Sequence, residues 1–190
     1  MVQSLKINKT YKLYIDGKFP RTESGRYIKW IAPKKNMTIN FCRGSRKDFR
    51  NAVVAARSAF KAWSGRSAYN RGQIFYRIAE MLEGRKEQFI SEFILQGFTK
   101  KQSEKEVALS INRLVYYAGW ADKYQQLFSR VNPVSSPYYN FSSPEPTGVV
   151  SVIAPDDSCL LGFLSLIVPA VVGGNTVVIL ASESYPLCGI

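Results

Sequence analysis

The chain contains no histidine. That excludes imidazole general acid–base catalysis, Ser-His-Asp triads and the commonest transition-metal ligand. Cysteine is scarce: Cys42, Cys159 and Cys188 are far apart and odd in number. Such usage fits reduced intracellular thiols better than a disulfide framework, so the expected location is cytoplasmic. No apolar run is long enough for a bilayer. The greasiest stretch, Leu160 to Val172, contains Pro169 and falls short of the roughly 20 residues a membrane helix needs. It reads as a buried helix, with no membrane partner. The opening MVQSLKINKT is polar and has no apolar core of a signal peptide.

Positive charge is missing from the last third. All 26 Lys and Arg lie at or before Arg130, and only Glu145, Asp156, Asp157 and Glu183 carry charge beyond it. The net charge is +12, which raises the question of a nucleic-acid partner. The basic residues are scattered among Glu and Tyr over several helices. No aromatic RNA-binding signature, zinc spacing or basic zipper accompanies them, so no nucleic-acid partner is expected. Hydrophobic residues make up 46% and aromatics 13%, enough for a packed core.

Tyr11 to Phe19 predicts a hairpin turning at Asp16-Gly17, a pair suited to a type I′ turn. Short strands follow at Gly25–Trp30 and Met37–Phe41, giving a small antiparallel ribbon. Ser45 and Asp48 have the spacing of a capping box. Phe49, Val53, Ala56 and Phe60 then mark one face of a helix that ends at Ser64-Gly65. Ile74, Ile78, Met81 and Leu82 mark a second helix. Phe89, Phe93 and Ile94 mark a third. After a polar loop, Thr99–Ser103, a long helix is expected from about Glu104 to Phe128, faced by Val107, Ile111, Leu114 and Tyr117–Ala118.

Val131 to Pro146 changes character: four prolines alternate with Tyr138, Tyr139 and Phe141. Proline suits edges rather than central strands, so this is an extended bridging arm. An apolar arm finds a partner chain. Gly148 to Ile153 is a continuous apolar strand of the kind buried on both faces in a parallel sheet. A turn, Ala154–Ser158, leads to a helix over Cys159–Val172 that stops at Gly173-Gly174-Asn175. Thr176–Leu180 is the next strand. Ligands of such sheets sit at the carboxyl ends of the strands, here Ala154–Ser158 and Ala181–Glu183. The adjacent Asp156 and Asp157 read as caps for the helix dipole rather than as an acid–base pair. Cys159 reads as a small helix-start residue rather than a nucleophile, Cys42 as a strand or loop residue, and Cys188 as a buried helix-start residue.

Six segments in order resemble the aldehyde dehydrogenase superfamily: YIDGKF (Tyr14–Phe19), AVVAARSAFKAW (Ala52–Trp63), Arg71–Leu82, YYAGWADK (Tyr116–Lys123), EPTGVV (Glu145–Val150) and VPAVVGGNTVVILASE (Val168–Glu183). The similarity runs from about Tyr14 to the end. It implies an α/β fold in which an N-terminal ribbon and helices (1–130) and a bridging or oligomerisation arm (131–147) lead into the first β-α-β unit (148–190) of an incomplete Rossmann-like cofactor domain. Active relatives oxidise an aldehyde with NAD or NADP through a cysteine thiohemiacetal. The resemblance places Ile153, Pro155, Ser182 and Glu183 at cofactor-pocket positions, with Glu183 facing ribose hydroxyls. The partner it implies is a second copy of the chain, or a C-terminal part, met through the arm.

Two departures matter. The family's Pro-Trp-Asn turn reads Pro155-Asp156-Asp157 here. Asp157 therefore stands where an Asn amide donates to the developing oxyanion, and losing one such donor costs about 10²–10³ in rate. The family's Lys on the second strand, which contacts the adenosine ribose or a 2′-phosphate, is replaced by Leu180. The family's catalytic Cys, general-base Glu and glycine-rich turn lie beyond the matched segment. No catalytic residue is therefore expected within these residues, and cofactor affinity should be weaker than millimolar. The alternative function is a non-catalytic scaffold acting through subunit association.

Overall fold

A computed structural model describes residues 10–33 and 37–190. Near its start, Asp16 and Gly17 both adopt positive φ, 55° and 70°, the pairing that a type I′ turn requires. Ile15 and Lys18 exchange two backbone hydrogen bonds of 3.0 Å around it. One step further out, Leu13 N donates to Pro20 O at 3.1 Å. The sheet beside it is formed by β1 (Thr10–Tyr11), β2 (Tyr27–Ile31) and β3 (Thr38–Cys42). β3 pairs antiparallel with β2 and parallel with β1, so the expected ribbon is a mixed sheet.

Helix α1 (Arg46–Ser64) opens on the capping box that the sequence predicts: Ser45 Oγ accepts from Asp48 N, and Asp48 accepts from Ser45 N. The rest of the Asp48 carboxylate takes Thr22 Oγ1 at 2.5 Å and Glu23 N at 3.2 Å. The cap thereby fastens the β1–β2 connection to α1. Phe49, placed on the expected buried face, is 52% exposed; Val53, Ala56 and Phe60 are half-buried.

α2 (Ala68–Gly84) turns a different face inward from the one that apolar spacing suggests. Arg71, Gly72, Phe75, Ala79 and Leu82 are buried, while Ile78 and Met81 are exposed. Gly72 sets this rotation. A Cβ there would lie 2.8 Å from the Ala118 carbonyl oxygen, so α2 crosses the next long helix at backbone contact. α3 (Lys86–Leu95) buries Ile90 and Phe93. α4 spans Lys100–Trp120, starting four residues earlier than expected because Thr99 and Gln102 form a second capping box. It ends at Trp120, and Tyr124–Phe128 is a separate short helix, α5.

The arm forms two exposed antiparallel strands, β4 (Arg130–Asn132) and β5 (Asn140–Ser142). The last unit is β6 (Val149–Ile153), α6 (Leu161–Val172) and β7 (Thr176–Leu180), with the strands parallel and Ile153 opposite Leu180. Gly174, at φ 94°, turns the chain from α6 into β7.

α2, α4 and α6 share the main core: Phe75, Ala79, Leu82, Leu114, Ala121, Val168 and Val172. α1 lies against β7, where Thr176 Oγ1 donates to the Ala56 carbonyl at 2.9 Å. The first helices therefore hold the strand–helix–strand unit. The strands are not covered throughout as expected: Ser151 is exposed, and Ile153 and Leu180 are 76% and 64% exposed. No helix among the described residues is long and apolar enough to cross a membrane.

Candidate site at the strand ends

Parallel pairing in register brings the ends of β6 and β7 together, so Ala154–Ser158 and Ala181–Glu183 emerge side by side. The Ala154 amide continues the ladder, donating to Leu180 O at 2.9 Å. Beyond it the two turns are tied by one short bond, Ser182 Oγ to Asp156 Oδ1 at 2.5 Å. Ser182 is buried and also accepts from Tyr185 N at 3.0 Å. Trp30 Nε1 donates to Ser184 O at 3.1 Å, which fixes the far side of the same loop to β2.

The N-terminus of α6 is capped from another helix. Leu161 N and Ser158 Oγ both donate to Glu106 Oε1, at 3.1 and 2.9 Å, and Ser158 Oγ accepts from Gly162 N at 3.0 Å. This corrects the expectation that Asp156 and Asp157 cap the helix. α6 starts at Leu161, not Cys159, so the two Asp are too far out. Asp156 holds Ser182 instead, and Asp157 is exposed. The turn is also packed tightly from below, since a Cβ on Gly162 would meet Pro155 Cγ at 2.5 Å.

Asp157 lies on the rim of a pocket of about 330 Å³, with Phe98, Gln102, Lys105, Glu106, Leu109 and Cys159. Its exposed side chain is a carboxylate, where the resemblance implies an amide. Of the residues expected to meet a cofactor, Ile153 and Glu183 are exposed, Pro155 is half-buried and Ser182 is buried. The fit to a nucleotide is partial. Glu183 presents a carboxylate suited to ribose hydroxyls. The Ser182 hydroxyl is engaged by Asp156, and exposed Leu180 offers neither a hydrogen bond nor a cation. No cluster of His, Cys, Asp or Glu among the described residues could hold a metal.

Three residues behind the site carry no obvious signal in the sequence. Glu106 sits on α4, far along the chain from the turn it caps. Arg71 is 5% exposed and donates to three backbone carbonyls: Val172 at 2.8 Å, Arg66 at 2.5 Å and Ser64 at 3.4 Å. It closes the C-terminal ends of α1 and α6, where the helix dipoles favour a cation. Gln96, also buried, accepts from Leu187 N at 3.1 Å and donates to Cys188 Sγ at 3.5 Å. Cys188 lies in a turn, not at a helix start as expected. For Arg71 and Gly72 a clue exists: an Arg-Gly pair in phase with Phe75, Ala79 and Leu82.

Residues 19–190 match the model of the aldehyde dehydrogenase family. The mitochondrial aldehyde dehydrogenase family 2 member B4 of Arabidopsis thaliana is 34% identical over 93% of this chain and 33% of its own length. Omega-crystallin of Enteroctopus dofleini is 31% identical over 93% of this chain and 36% of its own. Among solved structures, PnpE from Pseudomonas sp. WBC-3, in complex with nicotinamide adenine dinucleotide, superimposes with a TM-score of 0.89 at 31% identity; the match covers 94% of this chain and 37% of PnpE. The chain spans about a third of the length of the curated relatives it matches. With the family model matched over nearly all of its length, the chain belongs to the aldehyde dehydrogenase family.

Proposed function

We propose that this chain builds the front part of a cytoplasmic NAD(P)-dependent aldehyde-oxidising protein and does not itself perform the chemistry. The observation that carries this reading is the in-register end of β6 and β7. It sets Ile153, Pro155 and Glu183 at one end of a parallel sheet, where nucleotides bind in such folds. The same end argues for weak binding, because Leu180 replaces a polar contact and the Ser182 hydroxyl is occupied. Calorimetric titration with NAD tests this. The expected dissociation constant is weaker than millimolar, and saturable micromolar binding would overturn it. Incubating the chain with NAD and an aldehyde should produce no NADH.

A second reading is a scaffold acting through subunit association. Two observations favour it. Asp157 places a carboxylate where the oxyanion donor is expected. The arm exposes Val131, Tyr138, Tyr139 and Phe141, each by more than 60%. The name of one relative, omega-crystallin, is that of a crystallin rather than a dehydrogenase. Sedimentation tests the second reading: a concentration-dependent dimer or tetramer is expected, and a monomer at every concentration would overturn it.

A further inference from the structure

We infer that an aromatic pocket at the amino ends of β6 and β7 binds a small quaternary ammonium, a compound with a trimethylammonium head. This inference does not depend on the cofactor reading. Glu145, Gly173 and Asn175, which lead into β6 and β7, lie in its wall. It is therefore at the opposite end of the strands from Ala154–Ser158 and Ala181–Glu183.

The pocket holds about 450 Å³, a volume in the range of small-molecule sites. Five aromatic rings line it: α4 brings Tyr116, Tyr117 and Trp120, and α5 brings Tyr124 and Phe128. Tyr116 meets Tyr117 edge-on at 5.3 Å, and meets Trp120 at 6.1 Å with the planes tilted by 55°. The rings are not stacked flat on one another, and such ring faces attract a cation. One carboxylate, Glu145, joins them, and no Lys or Arg is among the described residues of the lining. In a chain of net charge +12, this is an acidic recess.

The walls are fixed without a ligand. Tyr124 Oη donates to Gly173 O, and Gln125 Nε2 donates to Pro144 O beside Glu145, each at 3.4 Å. Asn175 accepts from Thr147 Oγ1 at 3.1 Å and Gly148 N at 3.0 Å, and donates to Ala170 O at 3.1 Å. It thereby clips the stretch after Glu145 to the end of α6. The cations at the ends of α4 and α6 are engaged elsewhere. Lys123 holds the Gly119 carbonyl and Asp122, and Arg71 holds its three carbonyls. Glu145 takes part in no ion pair among the described residues.

The lining selects among guests. An uncharged apolar guest would leave the Glu145 carboxylate unbalanced beside it. A primary ammonium carries three N–H donors that need acceptors, and the Gly173 carbonyl is already taken by Tyr124. A quaternary ammonium has a full charge, no N–H to satisfy, and methyl groups that pack on aromatic rings.

The test is titration of the whole chain, isotope-labelled at the tryptophan nitrogens, with choline, following its three indole signals by NMR. Trp120 should shift saturably, with a dissociation constant of about 1 mM. Trp30, bonded to Ser184 elsewhere in the fold, should not move. Dimethylbutanol, the uncharged carbon isostere of choline, should bind about tenfold more weakly or worse. Sodium chloride at equal concentration should shift nothing. Glu145→Gln and Tyr116→Leu, both at exposed side chains, should each weaken choline about tenfold with the Trp30 signal unchanged. No saturable shift of Trp120 up to about 100 mM choline, or an isostere that binds as tightly as choline, would overturn the inference. Undiminished binding in both variants would do the same. The comparison of choline with its isostere uses the wild type alone, so a poorly folding variant does not obscure the result.

Discussion

Arg71 is a buried cation held by backbone carbonyls of the segments ending α1 and α6. Removing the guanidinium would leave those carbonyls unpaired and open a hole between α2 and α6. Arg71→Met should therefore destabilise by about 3 kcal/mol in chemical denaturation. Arg71→Lys should recover little of it, since one ammonium cannot match the fork geometry. Asp48 behaves differently because it can be titrated. Burial alone would raise it, but hydrogen bonds from Thr22, Ser45 and Glu23 outweigh this and hold its carboxyl below the usual carboxylate range. Its contribution is complete above the unfolded value of 3.8 and fades as pH falls through the lower folded value. Asp48→Asn should cost about 1 kcal/mol at neutral pH. The gap from wild type should close in acid, as read from denaturation midpoints at a series of pH values.

At the scale of elements, α6 is where sequence and structure part most clearly. A turn with two Asp in front of a helix looks like its own cap, yet Glu106 does the capping. Glu106→Gln should cost about 1 kcal/mol, whereas Asp157→Asn should change stability by less than about 0.5 kcal/mol. Equal losses in thermal melts would refute this assignment. Gly162→Ala should cost about 2 kcal/mol through its clash with Pro155. Features with local causes were legible: the Asp16-Gly17 turn, the Ser45–Asp48 box and the Gly174 exit from α6. The inward face of α2 was not. Apolar residues surround that helix, so periodicity alone cannot choose a face, and the choice is made by Gly72 fitting against α4. The start of α4 was missed for the opposite reason. Thr99 and Gln102 are polar and look like loop, yet their side chains pair with the helix's own first amides. At the candidate site the strand ends could be read from the chain, but Glu106 could not, because its contact joins residues distant in sequence.

At the scale of the molecule, the arm is the least satisfied surface. Its two short strands bury none of Tyr138, Tyr139 and Phe141, while Asn132 joins Asn140 and Ser142 by side-chain hydrogen bonds of 2.9 Å. The arm is thus ordered by its polar face, and its apolar residues stand exposed. Replacing Tyr138 and Tyr139 by Ser should shift sedimentation toward the monomer and leave the melting temperature within a few degrees of wild type. A variant that associates as well as wild type would rule the arm out.

The bonds of Arg71 to Val172 and of Trp30 to Ser184 also bear on how the chain is made. Arg71 and Val172 are separated by 101 positions, and Trp30 and Ser184 by 154. At about 5–20 residues per second, Arg71 is synthesised some 5–20 s before its carbonyl partner. Through that interval α1 and α2 have their own caps but neither the floor of their core nor a neighbour for the guanidinium. Docking of α1 and α2 is therefore timed by translation of α6 and β7 rather than by the speed of helix formation.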